Sequence, residues 1–445
     1  MILDEREIEN GISTELLAKL ITAHGENIDR YNNLLAYYKG THKILNRMKK
    51  SAGAANNKVV CNHAKYITDM IQAYLTGNPV TYAASDEFDI EEIKNAYLEQ
   101  DISSLDSEQV KACSIYGRSY ELIYANEESK PRSARINPRQ AFVVYNNDCT
   151  NRPLFGVYYY KTYDIDGNVT GVVCSVYTDT NVYTYENRAD NWNGMQLTHE
   201  SAHYFGGVPL IEYKNGGECQ GDFEQIIPLI DAYNLLMSDR VNDKEQFVNS
   251  FLFLKGIDID SEQAKKLKEE KILCAYEDGD AKYLSEALSE SDAEILRDNL
   301  KEDIHRFSMV PDLSDESFGN NLSGVAIKYK LMGFEQAIKN KERFIAKGLK
   351  KRFKLYNHYM ALKRQMQEVP IHRVDIIFTH NLPANELETS QMISNLKDLV
   401  SNETLLDQLS FVGDAKEEAE LAAEEKAQDY KRRISETEEM AGRGY

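Results

Sequence analysis

The 445-residue chain has few cysteines and prolines, and it lacks any long apolar run. No window approaches 18 uninterrupted apolar residues, so no membrane-spanning helix is predicted. The acidic start, MILDEREIENG, lacks the apolar segment of a secretory signal. The six cysteines are scattered without a C-x-x-C pair, which argues against a disulfide scaffold or a zinc ribbon and is typical of a reducing cytoplasm.

Three nucleotide and nucleophile motifs are also missing from the sequence. It contains no G-x-x-x-x-G-K-[ST], so ATP hydrolysis by a P-loop is not predicted, and neither G-x-G-x-x-G nor G-x-S-x-G occurs. No site of these three kinds is therefore predicted.

Acidic residues outnumber basic ones, 72 to 52, which gives a net charge of −20. Such a chain is a poor candidate for tight DNA binding, because phosphate contacts require Lys and Arg. A surface past which DNA slides should nevertheless be neutral or repulsive. The hydrophobic fraction of 42% is enough to build a folded core, and the length suggests about three domains.

The apolar periodicity changes along the chain and indicates its organisation. Residues 1–125 read mostly as helices, and 136–214 as antiparallel strands in a meander with cross-strand tyrosine packing. Residues 222–249 form an apolar helical stripe that includes Val241, with acids on the opposite face at Asp231, Asp239, Asp243 and Glu245. A compact α/β insert is predicted at 250–290, a second acidic helix at 291–308 and a polar loop at 309–322.

Residues 323–368 are the longest helical pattern in the sequence. They carry 12 Lys and Arg against three Glu, a net charge of +9, so the rest of the chain sums to −29. Such a helix either binds nucleic acid or presents a solvated face that pairs with acids. A strand-like run, HRVDIIFTH, and charged helices follow up to residue 445.

The segment His199–His203 matches the zinc-peptidase motif H-E-x-x-H, in which Glu200 would be the base. The third-ligand position of the extended motif is Pro209, which cannot coordinate a metal. The segment between the preceding Asn-Trp-Asn-Gly turn and Gly206 is too short for the long helix that this chemistry needs. We expect polar loop or strand residues here, with a zinc peptidase that recruits Glu224 as the alternative. For Cys61 and His63 we likewise expect structural residues, namely a buried thiol beside a histidine at the start of a helix.

The order of these elements resembles the portal proteins of tailed double-stranded-DNA bacteriophages, specifically the siphophage portal family. DAYNLLMSDRVNDKEQF at 231–247 resembles the family's first stem helix, FLFLKG at 251–256 the start of its clip, and MVPDLSDESFGNNLSGVAIKYKLMGFE at 309–335 its tunnel loop and wing helix. YYKGTHKI at 37–44 and YLTGNPV at 74–80 resemble the N-terminal wing, and LSFVGDAKEEAE at 409–420 resembles the crown. The resemblance covers nearly the whole chain.

This resemblance implies an α+β portal fold with wing, stem, clip and crown regions, assembled as a ring around an axial channel. The implied regions are the wing at 1–221, the first stem helix at 222–249, the clip at 250–290, the second stem helix at 291–308, the tunnel loop at 309–322, the long wing helix and returning strand at 323–382, and the crown with a charged tail at 383–445.

The resemblance implies a structural channel that is not an enzyme and needs no cofactor, and it also implies partners and a location. A homo-oligomeric ring of about twelve subunits would lie at one capsid vertex of the virion, after assembly in the host bacterial cytoplasm with major capsid and scaffolding proteins. Double-stranded DNA would pass through the channel, and the terminase large subunit and then head-completion adaptor proteins would dock on the clip. No membrane is implied. Another ring-forming, DNA-associated structural protein is a further alternative.

Three groups of candidate functional residues follow from the resemblance. The tunnel loop, which we expect to gate or steady DNA mechanically, comprises Pro311, Asp312, Leu313, Ser314, Asp315, Glu316, Ser317, Phe318, Gly319, Asn320 and Asn321. The channel-lining candidates in the second stem helix are Glu294, Asp298, Lys301, Glu302 and His305. The basic helix would present Lys347, Lys350, Lys351, Arg352 and Lys354 to a neighbouring subunit or to DNA.

Overall fold

Helices and strands are mixed along the whole chain, which confirms the predicted α+β class. The computed structural model describes residues 1–49, 55–85, 88–248, 251–255, 280–284, 290–313, 324–380, 386–397, 399–409 and 412–442. It divides into two compact units, where the length suggested about three domains. The larger unit contains Met1–Tyr38, Ala64–Gln225 and Ser308–Tyr445, and the smaller contains Lys39–His63 and Ile226–Phe307.

A six-stranded sheet organises the larger unit. Its order is β1-β5-β6-β7-β8-β9, with β1 at Ile2–Leu3, β5 at Ala141–Asn146, β6 at Pro153–Tyr163, β7 at Val169–Tyr177, β8 at Asn181–Asn187 and β9 at Gln196–Ala202. β1 runs parallel to β5 and the other neighbours are antiparallel, so the predicted meander is confirmed. Alternate residues such as Phe155, Val157, Cys174 and Val176 are buried in a core shared with Leu17 of helix α1 (Thr14–Gly25).

A three-stranded sheet has the order β10-β3-β4, with β10 at Leu210–Lys214, β3 at Arg118–Ala125 and β4 at Pro131–Ile136. Strand β3 departs from the mostly helical prediction for residues 1–125. Helix α5 (Ile102–Tyr116) ends at Gly117, whose φ of 79° turns the chain into the strand. A Cβ at Gly117 would lie 2.0 Å from the carbonyl oxygen of Cys219, so no other residue fits there.

Before residue 117, the described residues also form α2 (Ile28–Tyr38), α3 (His63–Thr76), α4 (Glu91–Glu99), the short strand β2 (Thr81–Ala84) and two 3₁₀ turns. Ile67, Ile71, Tyr74 and Leu75 of α3 are buried, as its apolar spacing predicted. Strand β2 pairs antiparallel with β13 (Val374–Ile377), which confirms a strand in the predicted HRVDIIFTH run.

The smaller unit contains two long helices, α6 (Ile227–Val248) and α7 (Glu290–Ser308). Helix α7 lies at its predicted position, and α6 begins five residues after the predicted start at 222. Between them in sequence, β11 (Phe251–Lys255) pairs antiparallel with β12 (Asp280–Leu284). The helix and the EDGD turn predicted for the insert lie outside the described residues. Residues 39–63, which the resemblance placed with the wing, lie in this unit and include a 3₁₀ turn at Lys43–Asn46.

The predicted apolar stripe of α6 is only partly correct. Ile230 and Tyr233 are buried, but Val241 is 41% exposed. The buried positions further along the helix are polar, and they are Asn234, Ser238 and Asn242. Burial of a polar side chain requires hydrogen-bond partners, and this unit supplies them from residues 57–61.

The longest helix, α8, covers Gly324–Leu362, 39 residues or about 58 Å at about 1.5 Å per residue. It ends six residues before the predicted end at 368. Arg364 has a φ of 57°, and the N–H groups of Gln365 and Arg364 donate to the carbonyl oxygens of Met360 and Ala361. These bonds form a Schellman motif that closes the helix. Because the left-handed residue is an arginine and not a glycine, the sequence did not reveal this end.

Three helices follow β13: α9 (Glu386–Leu396), α10 (Asn402–Leu406) and α11 (Ala415–Gly442). Helix α10 begins after Ser401, whose hydroxyl accepts a hydrogen bond from the Thr404 N–H at 3.3 Å. The described first half of α11 is largely exposed, in agreement with the predicted solvated tail. Within the described residues, no helix combines the length and the apolar character needed to span a bilayer.

Candidate functional site

Two acids of α6 are bound by residues 39–63 of the same unit. Asp239 Oδ1 lies 2.6 Å from Arg47 Nη2, and Glu245 Oε2 accepts a hydrogen bond from Asn57 Nδ2 at 2.6 Å. The ion pair with Arg47 offsets the negative charge of Asp239, whereas Asn57 gives Glu245 a neutral hydrogen-bond donor.

The buried polar residues of α6 bind an extended backbone segment at regular intervals. The backbone N–H groups of Asn57, Val59 and Cys61 donate to Asn242 Oδ1, Ser238 Oγ and Asn234 Oδ1 at 2.7, 2.9 and 2.8 Å. Every second residue of an extended chain thus meets every fourth residue of a helix, since both steps advance about 6 to 7 Å. The three side chains act as acceptors in place of a neighbouring strand.

The prediction for Cys61 and His63 is partly confirmed, because His63 starts a helix but the Cys61 thiol is half-buried and not buried. Cys61 is half-buried, and desolvation raises the pKa of its thiol. His63 begins α3, and its ring lies 4.9 Å from the Tyr233 ring and 5.8 Å from the His305 ring.

Helix α7 holds all five channel-lining candidates of the predicted second stem helix. The carboxylate side chains of Glu294, Asp298 and Glu302 are 58%, 57% and 65% exposed. Lys301 and His305 are half-buried. The carboxylates therefore face solvent in this subunit, while Lys301 and His305 are partly covered.

Two arginines neutralise part of the charge on α7. Arg297 Nη2 lies 2.7 Å from Asp298 Oδ1 and 3.3 Å from Glu294 Oε1. Arg306 pairs with Glu302 one turn earlier. Exposed pairs of this kind contribute little stability, but they weaken the field of the carboxylates. The negative surface is consequently milder than the number of acids suggests.

The first residues of the predicted tunnel loop are held by a tyrosine of α3. The Tyr66 hydroxyl donates to the Pro311 carbonyl oxygen at 2.9 Å and accepts from the Leu313 N–H at 3.2 Å. Met309, with a φ of 57°, directs the chain out of α7. Pro311 and Asp312 are half-buried and Leu313 is exposed. The other loop candidates, Ser314, Asp315, Glu316, Ser317, Phe318, Gly319, Asn320 and Asn321, lie outside the described residues.

Four of the five candidates on the basic helix are exposed on α8, namely Lys347, Lys350, Lys351 and Lys354. The fifth, Arg352, is a correction to the prediction. Its side chain is 0% exposed and lies between two carboxylates of its own chain, so it faces neither DNA nor another subunit. The same face of α8 carries buried hydrophobic residues such as Leu349 and Phe353, so Arg352 lies in the protein interior.

Arg352 is held by Asp106 and Glu121. Its Nη2 lies 2.6 Å from Asp106 Oδ1, an ion pair without hydrogen-bond alignment, and its Nε donates to Glu121 Oε1 at 2.7 Å. Desolvation acts to lower the pKa of the guanidinium, but the two carboxylates outweigh it and the pKa is raised. Desolvation raises the pKa of Asp106 against the opposing effect of Arg352. The contacts of Arg352 with Asp106 and Glu121 link α8 to α5 and β3.

The H-E-x-x-H segment is strand β9 and the residue that follows it, as the loop-or-strand prediction expected. Four residues span about 13 Å along a strand, so the two histidines do not share a ligand position. His203 Nε2 lies 3.0 Å from the Thr178 carbonyl oxygen, and Glu200 accepts from Asn181 Nδ2 at 2.9 Å. Glu224, the alternative third ligand, is paired with Arg30 at 2.6 Å. No cluster with metal-ligand geometry occurs among the described residues.

Residues 17–432 match the family model for "Phage portal protein, SPP1 Gp6-like". The chain belongs to this family of phage portal proteins. It is 25% identical over 438 residues to the portal protein of Bacillus phage SPP1, which covers 93% of this chain and 86% of that protein. It is 21% identical over 440 residues to the portal protein of Clostridium phage phiCD119, with 93% and 96% covered.

Among the solved structures that match this chain, one has a TM-score of 0.44 and 12% identity over 78% of this chain and 90% of that chain. It is titled "Neck of empty GTA particle computed with C6 symmetry". The family match confirms the resemblance seen in the sequence: this is a portal-family chain, from a family of structural head-to-tail connectors that are components of phage virions.

Sequence reasoning missed several residues that build these sites. Tyr66, Asp106 and Glu121 come from elements far from their partners in sequence, and nothing local marks them. The ladder on α6 could have been noticed, because Asn234, Ser238 and Asn242 recur every four residues on one helix face. Polar residues that recur at the spacing of buried positions indicate that this face of the helix packs against polar groups.

Proposed function

We propose that this portal protein assembles into a ring of about twelve subunits around an axial channel at one capsid vertex. Double-stranded DNA is packaged and later ejected through the channel. The terminase large subunit docks first and head-completion adaptor proteins replace it, while major capsid and scaffolding proteins surround the ring during assembly in the host cytoplasm. The observation that carries this proposal is the portal-family match over residues 17–432.

The regions keep their sequence assignments in this proposal, with one change. Helices α6 and α7 are the stem, 250–290 the clip, 309–322 the tunnel loop, and α8 with β13 the long wing helix and returning strand. The crown begins at 383. The change concerns residues 39–63, which pack with the stem helices through the ladder on α6.

The exposed carboxylates of α7 support its role as a channel wall. Repeated around a ring, Glu294, Asp298 and Glu302 repel phosphates and prevent DNA from adhering, and salt limits this repulsion to about 8 Å at physiological ionic strength. The pairs made by Arg297 and Arg306 moderate the repulsion. The wall is then weakly repulsive, which suits a surface that DNA must pass.

Charge reversal on α7 tests the channel wall. Rings of Glu294→Lys, Asp298→Lys, Glu302→Lys should retain duplex DNA at low salt and release it as salt rises. The matched control places the same charge change on exposed acids of α11, in Glu417→Lys, Glu418→Lys, Glu420→Lys. Equal retention by both variants would contradict a channel position for α7.

The exposed lysines of α8 support contacts between subunits, because the rest of the chain is strongly acidic. Lys350→Glu with Lys354→Glu should weaken ring assembly as measured by native mass spectrometry. Arg352 is left unchanged, since its loss would affect folding. Unchanged assembly with altered DNA retention would instead favour contact of this helix with DNA.

The architecture is tested by negative-stain electron microscopy and native mass spectrometry of the purified protein. We expect closed rings of about twelve subunits with a central hole wide enough for duplex DNA. A persistent monomer at both low and high salt would contradict the proposal. Deletion of 312–321 should leave rings intact and impair packaging, and normal packaging would remove the gating role of the loop.

A further inference from the structure

A cleft of about 760 Å³ in the larger unit collects positive charge from several elements, and it includes Lys350, which also belongs to the surface proposed for subunit contacts. Its walls come from β3, β5, β10 and α8. Five of its lining residues are basic and one is acidic: Arg118, Lys214, Lys347, Lys350 and Lys351 against Glu212. This composition is unusual in a chain whose net charge is −20.

Glu212 forms the floor of the cleft, and its carboxylate is already engaged. The side chain is 2% exposed, Oε1 accepts from Arg118 Nη1 at 2.8 Å, and Oε2 accepts from the Tyr145 hydroxyl at 2.8 Å. Lys214 Nζ is more distant, at 3.9 Å from Oε2. The single carboxylate therefore neutralises Arg118 and leaves the lysines largely uncompensated.

Two of the lysine ammonium groups converge on one aromatic ring. Lys214 Nζ and Lys351 Nζ lie 5.5 and 5.8 Å from the centroid of the Tyr145 ring. Lys347 Nζ lies 4.9 Å from the centroid of the Phe344 ring at the same cleft. Aromatic faces attract cations, but they do not cancel their charge.

The ion pairs that α8 makes among the described residues involve other side chains, namely Lys341, Glu342, Arg352 and His358. Although Lys351 is exposed as a residue, desolvation at its ammonium lowers its pKa. Glu212 opposes this shift, and Lys214 and Lys347 add to it by repulsion. The cleft thus holds cations that repel one another.

Close packing of α8 on β10 produces this arrangement. A Cβ at Gly348 would lie 2.3 Å from Tyr213 Cε1, so only glycine lets the helix approach the strand this closely. The approach brings Lys347 and Lys351, one turn apart on α8, to the same cleft as Lys214 of β10. Like charges one turn apart on a helix repel each other, so an anion bound between them would relieve a standing repulsion.

We propose that this cleft binds a small oligophosphate anion, either free or as the phosphate chain of a nucleotide. The volume lies in the range of small-ligand sites and does not admit a DNA duplex. Lysine ammonium groups bind phosphate oxygens as point charges from several directions, which suits a cluster that comes from two elements. This inference requires neither a closed ring nor DNA in the channel, and its test variants leave Lys350 of the proposed subunit contact unchanged.

Isothermal titration calorimetry with tripolyphosphate, on the full chain at low salt, tests the site. We expect saturable binding with about one ligand per subunit, weakened at least tenfold in Lys347→Glu with Lys351→Glu. The matched control is Lys339→Glu with Arg343→Glu, which makes the same charge change one turn apart on exposed positions of α8 outside the cleft. The control should bind within about threefold of wild type, a difference below 1 kcal/mol.

A second arm uses ATP and separates the two sources of the ligand. Tighter binding of ATP than of tripolyphosphate identifies a nucleotide, and equal binding identifies the phosphate chain alone. A thermal shift of the wild-type protein by either probe needs no variant, so it remains informative if the double variant fails to fold.

The inference is overturned if neither phosphate probe binds, or if the cleft and control variants lose affinity equally. Binding of a polyglutamate peptide without binding of the phosphate probes would also overturn it, since the cleft would then recognise protein carboxylates. Ring assembly is recorded by native mass spectrometry on the same samples. If the rings are intact but do not bind the phosphate probes, this inference is contradicted and the portal proposal stands.

Discussion

Arg352 and Glu121 form a bidentate ion pair in the interior of the larger unit. Nε donates to Oε1 at 2.7 Å and Nη2 donates to Oε2 at 2.9 Å, and both side chains are 0% exposed. The Tyr213 hydroxyl donates a further hydrogen bond to Oε2. The two residues are 231 positions apart in the chain, so the pair joins the long helix α8 to strand β3.

Replacing this arginine should severely destabilise the fold. In Arg352→Met, Glu121 and Asp106 remain buried without their cation, and the expected loss in the free energy of unfolding is about 3–5 kcal/mol. Chemical denaturation measures it. Lys354→Met, on an exposed position of the same helix, should change stability by less than about 0.5 kcal/mol. Similar losses in both variants would contradict the structural role assigned to Arg352.

Removing one hydroxyl should loosen the base of the predicted tunnel loop. Tyr66→Phe removes the bonds to the Pro311 carbonyl oxygen and the Leu313 N–H, with an expected local cost of about 1 kcal/mol. Hydrogen exchange at the Leu313 amide should accelerate several-fold. Tyr329→Phe, at a position 74% exposed, is the control. An unchanged exchange rate at Leu313 in Tyr66→Phe would show that other contacts hold this segment.

The ladder on α6 should be sensitive to loss of a single acceptor. Ser238→Ala leaves the half-buried Val59 N–H without its acceptor, and the expected cost is about 1 kcal/mol. Faster hydrogen exchange should appear at Asn57, Val59 and Cys61 together, because they bind one helix face. Val241→Ala, at an exposed position of the same helix, should leave their exchange unchanged. An effect confined to α6 itself would argue against the ladder.

His24 should make the stability of the larger unit depend on pH. Its ring is 4% exposed and Nδ1 lies 2.7 Å from the Tyr159 hydroxyl, and desolvation lowers its pKa from 6.5 to about 4. Because the unfolded chain binds this proton more tightly, stability falls as pH decreases from 6.5 to about 4, by up to about 1.4 kcal/mol per pH unit.

Denaturation at several pH values checks this contribution. Between pH 6.5 and about 4, the stability of His24→Gln should fall less steeply than that of the wild type. The variant lacks the one proton that His24 takes up on unfolding. His199→Gln, at an exposed position of strand β9, should keep the slope of the wild type. A variant His24→Gln with an unchanged slope would assign the acid sensitivity to other groups.

Local patterns in the sequence predicted the elements well where one face of each element meets the core. The strands at 136–214 and helices α3, α6, α7 and α8 follow from periodicity, because burial of one face imposes a repeat of two or 3.6 residues. Even the rejection of the H-E-x-x-H motif followed from local features, namely a nearby turn and glycines that leave no room for a long helix. Helix ends were less visible: α8 closes at Arg364, where no glycine marks the left-handed residue.

Contacts between distant segments could not be predicted from such patterns. Arg352 has the same local surroundings as the lysines beside it, and only its position against Asp106 and Glu121 makes it a buried structural residue. Asn234 and Ser238 were recognised as part of a family-like segment, but their backbone partners at 57–61 lie more than 170 residues away. Packing of α8 on β10 likewise gathers Lys214, Lys347 and Lys351 into one cleft.

By itself, the sequence determined the α+β class, the acidic and basic division of the chain and the resemblance to portal proteins, since these depend on composition, periodicity and the order of short segments. Only the tertiary structure decided which charges are buried, paired or left free. Burial and pairing depend on which distant side chains meet, and the desolvation that shifts a pKa exists only after the chain has folded.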